Sequence, residues 1–408
     1  MKNIVVIGAG PAGMMAAYSA AENGNFVTII EKNNRVGRKL LITGKGRCNL
    51  TNACEIEELI ENVTTNNRFL YSSFYTFTNR DVMDIFEKYG VKLKVERGNR
   101  VFPESDRAMD VVDAMHRMIN HKNIKLMTDA SVKEIKTKDN HVKSVVLKNG
   151  KEIHADSVIL ATGGASYKRT GSTGDGYKMA KKLGHTIVDV KPSLVGMEII
   201  ENYAERLSGL NLRNISISVY DKRNKKIYED FGEMEFHDYG IDGPVIKSAS
   251  CIMKDLSKES YRINLDLKPA LNDEKLDKRI QRDFQKYINK RFSESLKDLL
   301  PSKLIPVIVE LSGINPKTMV NSITREERKN LVKAIKNMTL TVKRYRPIEE
   351  AIVTSGGIKT SEINSSTMES KIVQGLFFAG EIIDVDAYTG GFNLQIAFST
   401  GYLAGMNA

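Results

Sequence analysis

Apolar residues near both ends of the chain form short runs that predict strands alternating with helices. The β-branched runs Asn3–Ile7 and Phe26–Ile30 are typical of buried parallel strands. Between them, a glycine-rich turn leads into an alanine-rich segment, 14–23, which predicts a helix that ends near Gly24. Two further strand–helix pairs are predicted, at 156–160 with 177–183 and at 375–379 with 390–405. This alternation predicts an α/β fold.

The middle of the chain has a different pattern, which predicts an insertion between the two ends. Residues 215–220 and 261–267 alternate between apolar and polar side chains, as half-buried strands do. A charged turn at 221–226 separates the first of these strands from the next one. Within 271–335 apolar residues recur at helical spacing, and 338–342 return to a strand pattern.

The turn after the first strand carries a G-x-G-x-x-G motif in the order strand, turn, helix, strand and acid. Glycines at the first, third and sixth positions permit a tight turn, close approach of a pyrophosphate, and close packing of helix on strand. The helix N-terminus offers unpaired N–H groups to the phosphates, and the acid can accept both hydroxyls of a ribose. The motif predicts dinucleotide binding by Gly8, Gly10, Pro11, Ala12, Gly13 and Glu31.

The motif alone does not separate FAD from NAD, but four further segments favour FAD. A glycine-rich basic loop lies at 37–49, a strand runs into glycines at 156–164, and Gly171–Gly176 opens a helix. Residues 375–381 end in Gly-Glu, and the helix that begins after Gly390-Gly391 can direct its N-terminus at flavin N1 and O2. The other predicted cofactor residues are Lys32, Arg38, Lys39, Gly44, Gly46, Cys48, Asn49, Val132, Ala161, Thr162, Gly163, Gly380, Glu381, Gly391, Phe392, Asn393 and Leu394.

Residues 40–52 resemble a signature of the aminoacetone-oxidase-family FAD-binding flavoproteins, which are related to 3-dehydro-bile-acid Δ4,6-reductases. Further matches follow in order at 100–103 with 110–114, at 346–351 with 354–357, and at 390–395. The resemblance implies a Rossmann-like FAD-binding domain of the three-layer, glutathione-reductase type. It also implies a small β-barrel insert that itself carries a helical insert. The expected boundaries are 1–187 and 346–408 for the FAD domain, 188–270 and 336–345 for the barrel, and 271–335 for the helical insert.

FAD carries hydride chemistry itself, so catalytic side chains can be few. Arg100 can pin a substrate carboxylate or carbonyl, or it can form a structural ion pair. Tyr388 can donate a proton, or it can serve only in packing. For Cys48 packing or backbone contact is favoured over a redox role, and for His237 a surface position is favoured because the family motif is altered around it. No spacing of histidines and cysteines indicates a metal site.

Composition and charge narrow the class of protein. The 408 residues are 41% hydrophobic and 27% charged, with three cysteines and no C-x-x-C pair, which favours a soluble protein of the reducing cytoplasm. The net charge is +11, and residues 271–345 hold 17 Lys and Arg against 9 Asp and Glu. Because acids are interspersed there, a solvated helical surface is favoured over a nucleic-acid site. The longest apolar runs fall short of the roughly 18 residues of a membrane helix.

The leading hypothesis is an FAD-dependent oxidoreductase that transfers hydride between flavin N5 and a small or medium organic substrate. The resemblance suggests NAD(P)H-linked reduction of an activated C=C bond of the steroid-enone type. An aminoacetone-type oxidase that uses O₂ and a tRNA-modifying flavoprotein stay open as alternatives. No second G-x-G-x-x-G motif follows a strand, so NAD(P)H would enter the substrate cleft transiently. The first histidine is His116, beyond the early loop, which predicts non-covalent FAD.

Overall fold

Both ends of the chain form one structural unit, and the middle of the chain forms another. A computed structural model describes residues 1–253, 256 and 259–408. The first unit contains Met1–Ser193 with Pro347–Ala408, and the second contains Leu194–Arg346. Among the described residues, no helix is long and apolar enough to cross a membrane.

The described parts of the chain contain nineteen strands and thirteen α-helices. Strands β1 to β19 are, in order, Asn3–Ile7, Phe26–Ile30, Thr51–Asn52, Leu93–Glu96, Arg100–Pro103, Ile124–Met127, Val132–Lys138, His141–Leu147, Glu152–His154, Ser157–Leu160, Ile187–Ser193, Met197–Ile199, Asn211–Tyr220, Lys226–His237, Gly240–Asp242, Arg262–Asp266, Met338–Tyr345, Val353–Ile358 and Leu376–Phe378. Helices α1 to α13 are Pro11–Glu22, Ile56–Glu61, Tyr71–Thr76, Asn79–Lys88, Ala108–Ile119, Asp175–Lys182, Tyr203–Leu207, Pro244–Ile252, Asp273–Lys286, Phe292–Ser295, Ile305–Ser312, Arg325–Lys336 and Phe392–Asn407. Short 3₁₀ helices include Leu40–Gly46 and Gly380–Ile382.

The central sheet of the first unit is parallel, with strand order β19-β10-β1-β2-β6. Its inner strands are almost fully buried because they are continuous apolar runs. Helices α1 and α13 pack closely against each other. A Cβ atom at Gly401 would stand 2.4 Å from the Ala12 carbonyl oxygen, and one at Gly405 would stand 2.1 Å from that of Ala16. The glycines of α13 therefore allow the two backbones to approach closely.

Three smaller sheets complete the first unit. Strands β7, β8 and β9 form an antiparallel sheet, β3, β5 and β4 form another, and β11 pairs with β18. The chain enters the first of these sheets beside the end of β2 in space, because the Ala130 N–H donates to the Glu31 carbonyl oxygen at 3.0 Å. Strands from distant parts of the sequence thus meet near the acid of the nucleotide motif.

The second unit is built on a closed antiparallel barrel with strand order β12-β15-β14-β13-β16-β17. Along β13, the buried residues Ile215, Ile217 and Val219 alternate with more exposed neighbours, as the sequence pattern predicts. Helices α9 and α12 share the hydrophobic core of the barrel through Leu276 and Leu331. The predicted α/β class is confirmed, with a Rossmann-type sheet, an inserted β-barrel and helices in the insert.

Candidate functional site

Two glycines of the nucleotide motif are required by backbone packing. Gly8 has φ +105°, and its N–H donates to the Ile30 carbonyl oxygen at 2.9 Å. A Cβ atom at Gly8 would stand 2.5 Å from the Ala161 carbonyl oxygen, and one at Gly13 would stand 1.9 Å from the Gly8 carbonyl oxygen. Both distances are far below a van der Waals contact, so any side chain would force the turn, strand and helix apart.

Gly10 differs from these two glycines because it borders open space. It is the N-cap of α1, with φ −82°, and Pro11 occupies the first helical turn. No described protein atom lies within 4 Å of the place where a Cβ atom would stand. The N-terminus of α1 therefore presents its N–H groups beside an open surface, which suits an anionic ligand. Ala12 packs inward, 2.7 Å from the Cβ position of Gly380.

The carboxylate of Glu31 is buried at the end of β2 and held by three N–H donors. Its Oε2 accepts from the Ala9 N–H at 2.8 Å, and its Oε1 accepts from the backbone and side-chain N–H groups of Asn33 at 2.8 and 2.7 Å. Each carboxylate oxygen can accept more than one hydrogen bond, so capacity for ribose hydroxyls is left. Arg38 donates to the Asn33 side-chain oxygen at 3.0 Å. Val132 begins β7, two residues after Ala130, whose N–H donates to the Glu31 carbonyl oxygen. Asn33 is a positioning residue that the sequence analysis missed.

Lys39 and Glu381, both predicted to contact the cofactor, contact each other. The Lys39 ammonium lies 2.8 Å from Glu381 Oε2 and 2.7 Å from Ser166 Oγ. The Thr354 N–H donates to Glu381 Oε1 at 2.8 Å. Both charged side chains are only 20% exposed, so this ion pair joins the two ends of the chain in a partly desolvated place. Lys32 is paired in the same way with Asp175 at 2.7 Å.

The basic loop is held in an unusual backbone conformation. Residues Gly44, Lys45, Gly46 and Cys48 all have positive φ values, between +56° and +88°. The Cys48 side chain is fully buried, and this burial raises the pKa of its thiol to about 12. The thiol is therefore protonated at neutral pH, which agrees with packing as its role.

Two buried polar atoms near the predicted cofactor segments have no hydrogen-bond partner among the described residues. They are Asn49 Oδ1, at the end of the basic loop, and Thr162 Oγ1, after β10. The Ala161 N–H continues the sheet by donating to the Ile7 carbonyl oxygen, and Gly163 follows with φ +71°. Because unpaired buried polar groups are costly, these two atoms indicate places where a polar ligand binds.

The turn before α13 is held by protein contacts. Gly391 was predicted to contact the cofactor, and this stays a prediction. In the structure Gly391 has φ +99°, and a Cβ atom there would stand 2.3 Å from the carbonyl carbon and oxygen of Thr51. The glycine is therefore required by the backbone of β3. The Asn393 side chain bonds to the backbone of Ala387 and Tyr388, so it shapes the same turn. Phe392 is buried and Leu394 half-buried.

The two candidate catalytic residues lie in different surroundings. Arg100 is exposed, donates to the Arg97 carbonyl oxygen at 3.0 Å, and lies 5.9 Å from the Phe102 ring centroid. No ion pair joins Arg100 to a carboxylate in the part of the chain that the structure describes. Tyr388 is half-buried, and its N–H donates to the Asn62 carbonyl oxygen at 3.0 Å. A role for either residue in catalysis stays a prediction. His237 is partly exposed and stacks on Tyr239.

A glycine-lined helix N-terminus and an acid at the end of the second strand place the chain among the dinucleotide-binding proteins of the Rossmann type. The family model described as HI0933-like protein Rossmann domain matches residues 2–407. The chain therefore belongs to the HI0933-like family, and the resemblance predicted from the sequence is confirmed. It is an FAD-dependent oxidoreductase.

The similarity to known proteins extends over the whole chain. The chain is 31% identical to a 3-dehydro-bile acid delta(4,6)-reductase of Clostridium scindens, over 100% of this chain and 99% of that protein. It is 28% identical to a ribosomal RNA dihydrouridine synthase of Haemophilus influenzae, over 99% and 97%. A flavocytochrome c3 fumarate reductase structure shares the fold, with a TM-score of 0.54 and 18% identity, over 100% of this chain and 78% of that one.

The residues of the first unit fit FAD. The open surface at Gly10 suits a pyrophosphate, Glu31 has remaining acceptor capacity for a ribose, and Asn49 and Thr162 offer unpaired polar atoms. These features and the family support FAD as the cofactor. Among the described residues, no group of three or more histidines, cysteines and acids is arranged to hold a metal ion.

Proposed function

We propose that this protein reduces a C=C bond conjugated to a carbonyl group. The observation that carries the proposal is the 31% identity to the bile-acid reductase over the full length of both chains. The name of the second relative denotes the same bond change, because dihydrouridine is uridine with the ring C=C bond beside a carbonyl saturated. One hydride and one proton added across such a bond account for both names.

Different residues of this chain would bind different parts of FAD. The N–H groups at the start of α1 and the glycines of the turn would hold the pyrophosphate, and Glu31 would accept from the ribose. The Lys39–Glu381 ion pair would position the backbone near Gly380, and the hydrogen bonds of Asn393 would position the turn before α13. FAD, when bound, supplies hydride at N5. Arg100 is proposed to orient the substrate carbonyl, and Tyr388 to donate a proton.

The proposed electron donor is NADH or NADPH, and the proposed substrate is a small or medium molecule of the enone type. The sequence carries one dinucleotide motif, and that motif is the one proposed for FAD. A nicotinamide donor would therefore visit the substrate cleft and leave before the enone enters.

The test is a two-step reaction under anaerobic conditions. Acid precipitation should release yellow FAD from the protein, and NADH or NADPH should then bleach the flavin of the intact enzyme. A panel of 4-en-3-one and 4,6-dien-3-one steroids should restore the oxidised spectrum and yield products heavier by two hydrogens in mass spectrometry. If no enone is consumed under anaerobic conditions and the reduced flavin is reoxidised only when O₂ is admitted, the result would instead support the aminoacetone-type oxidase.

A second candidate substrate is a uracil ring in RNA, and an exposed basic surface favours it. Lys290, Arg291 and Lys317 are exposed and come together because the Val320 N–H donates to the Lys290 carbonyl oxygen at 3.1 Å. No ion pair joins these three side chains to a carboxylate within the described part of the chain. Arg291 forms a β-bridge with the exposed Met319, so the surface combines charge with an apolar side chain.

Filter binding of RNA at two salt concentrations separates this candidate from the first. An RNA substrate predicts tight binding that weakens steeply with salt, and Lys290→Glu with Lys317→Glu should abolish most of it. A matched exchange at Lys329, which lies 3.6 Å from Glu326 on α12, should have little effect. Weak binding that both variants leave unchanged would remove RNA as a substrate.

A further inference from the structure

Two buried acids lie in the segment that joins the Gly380 turn to α13. Asp384 is 8% exposed and Asp386 only 1% exposed. The Asn66 side chain donates to Asp384 Oδ2 at 3.0 Å. The Ser193 hydroxyl donates to Asp386 Oδ2 at 2.7 Å. We name Asp384 and Asp386 the carboxyl pair.

The second oxygen of Asp386 is the independent sign that this pair has a function. Asp386 Oδ1 is buried and has no hydrogen-bond partner among the described residues. An ionised carboxylate oxygen in such a place is costly unless a proton or a donor group reaches it. Both oxygens of Glu381, in contrast, accept hydrogen bonds from protein groups, namely the Lys39 ammonium and the Thr354 N–H.

The surroundings of Asp384 favour its protonated form. Burial and the Asp386 carboxylate raise the pKa of Asp384, whereas Asn66, the Gly356 N–H and the Lys191 ammonium act in the opposite direction. Burial, the Glu381 carboxylate and the Asp384 carboxylate raise the pKa of the Tyr177 phenol on α6, so Tyr177 also faces Asp384. An ionised Asp384 is repelled by the Asp386 carboxylate, and a proton on Asp384 removes this repulsion.

The carboxyl pair is also held rigidly beside the predicted flavin segments. The Thr64 N–H donates to the Asp386 carbonyl oxygen at 2.8 Å, and the Asp384 N–H donates to that of Ile358 at 3.0 Å. The next residue, Ala387, is bonded through both backbone groups to the side chain of Asn393 in α13. The pair therefore shares one fixed segment with the turn that opens the C-terminal helix.

We propose that the carboxyl pair takes up one proton from water when the bound FAD is reduced, and later delivers this proton to the substrate. In the first step a hydride donor gives two electrons and one proton to the flavin, while the pair gains one proton. Negative charge on the reduced cofactor favours this uptake. In the second step, which rests on the proposed function, hydride passes to the β-carbon and Tyr388 donates its proton to the α-carbon. Tyr388 then takes the proton of the pair in return. The flavin is then oxidised and the pair has lost its proton.

The test is the pH dependence of the flavin midpoint potential in the holoenzyme. One further proton per two electrons steepens the dependence by about 30 mV for each tenfold change in proton concentration. The wild type should show this extra slope over part of the range from about pH 5 to pH 9, and Asp386→Asn should lose it. Asp189→Asn, an exposed acid on β11, is the matched control and should behave as wild type. Equal slopes in Asp386→Asn and wild type would overturn the proposal.

A second measurement tests the proposal if Asp386→Asn does not fold or does not bind FAD. Proton uptake during anaerobic reduction of the wild type is counted with a pH indicator and compared with that of Asp384→Asn. The wild type should take up close to one additional proton per flavin in the window where its slope is steep. Identical uptake in both proteins would reject the pair. Because neither readout needs an enone, failure of the enone assay alone would reject the proposed function and leave the pair intact.

Discussion

Replacing Gly10 with alanine separates cofactor binding from folding. The backbone of Gly10, at φ −82°, is open to any residue, and no described protein atom lies within 4 Å of the new methyl group. The unfolding free energy of the apoprotein should therefore change by no more than about 1 kcal/mol. A pyrophosphate seated on the α1 N-terminus would meet that methyl group directly, so affinity for FAD should fall by at least about tenfold, or 1.4 kcal/mol.

Gly13→Ala is the contrasting variant for this experiment. Its methyl group would stand 1.9 Å from the Gly8 carbonyl oxygen, so the helix and strand must separate, at a cost of about 1–3 kcal/mol before any cofactor binds. Urea unfolding of the apoproteins and fluorescence titration with FAD measure the two effects independently. If Gly10→Ala bound FAD as tightly as wild type, the pyrophosphate would not lie at this helix terminus.

Three further substitutions have expected outcomes. Glu31→Ala should weaken FAD binding by about tenfold to a hundredfold in a flavin titration, while Glu22→Ala, which is half exposed on α1, should not. Gly391→Ala should lower the unfolding free energy of the apoprotein, because the methyl group meets the Thr51 carbonyl at 2.3 Å; unchanged urea stability would contradict this. The raised pKa of Asp384 means that the folded state binds its proton more tightly than the unfolded state, so its contribution to stability falls as pH rises. Asp384→Asn should therefore gain stability relative to wild type between pH 5 and pH 8 in urea unfolding, and a relative loss would refute this sign.

The sequence predicted those elements whose structure is determined by residues within one short segment. The first strand, the glycine turn, the first helix and the acid at Glu31 were predicted because each is a short-range signal. The partners of Glu381 could not be predicted in this way, since its ion pair joins it to Lys39 across 342 residues of sequence. The contact between Gly391 and Thr51 could not be predicted either, because it joins residues that are far apart in the sequence.

The buried polar atoms of the candidate site fall into two groups: those with a protein hydrogen-bond partner and those without one among the described residues. Glu381, Asn393 and Gln395 have their polar atoms engaged by protein partners, so they hold the backbone in place. Asn49 and Asp386 each keep a buried oxygen without a partner among the described residues. Asn49 ends the predicted basic loop, and Asp386 lies between the predicted segments 375–381 and 390–395. Burying such oxygens has a cost that folding alone does not repay. The satisfied groups therefore explain why the segments adopt their shape, and the unsatisfied ones are where we propose that FAD binds and a proton is taken up.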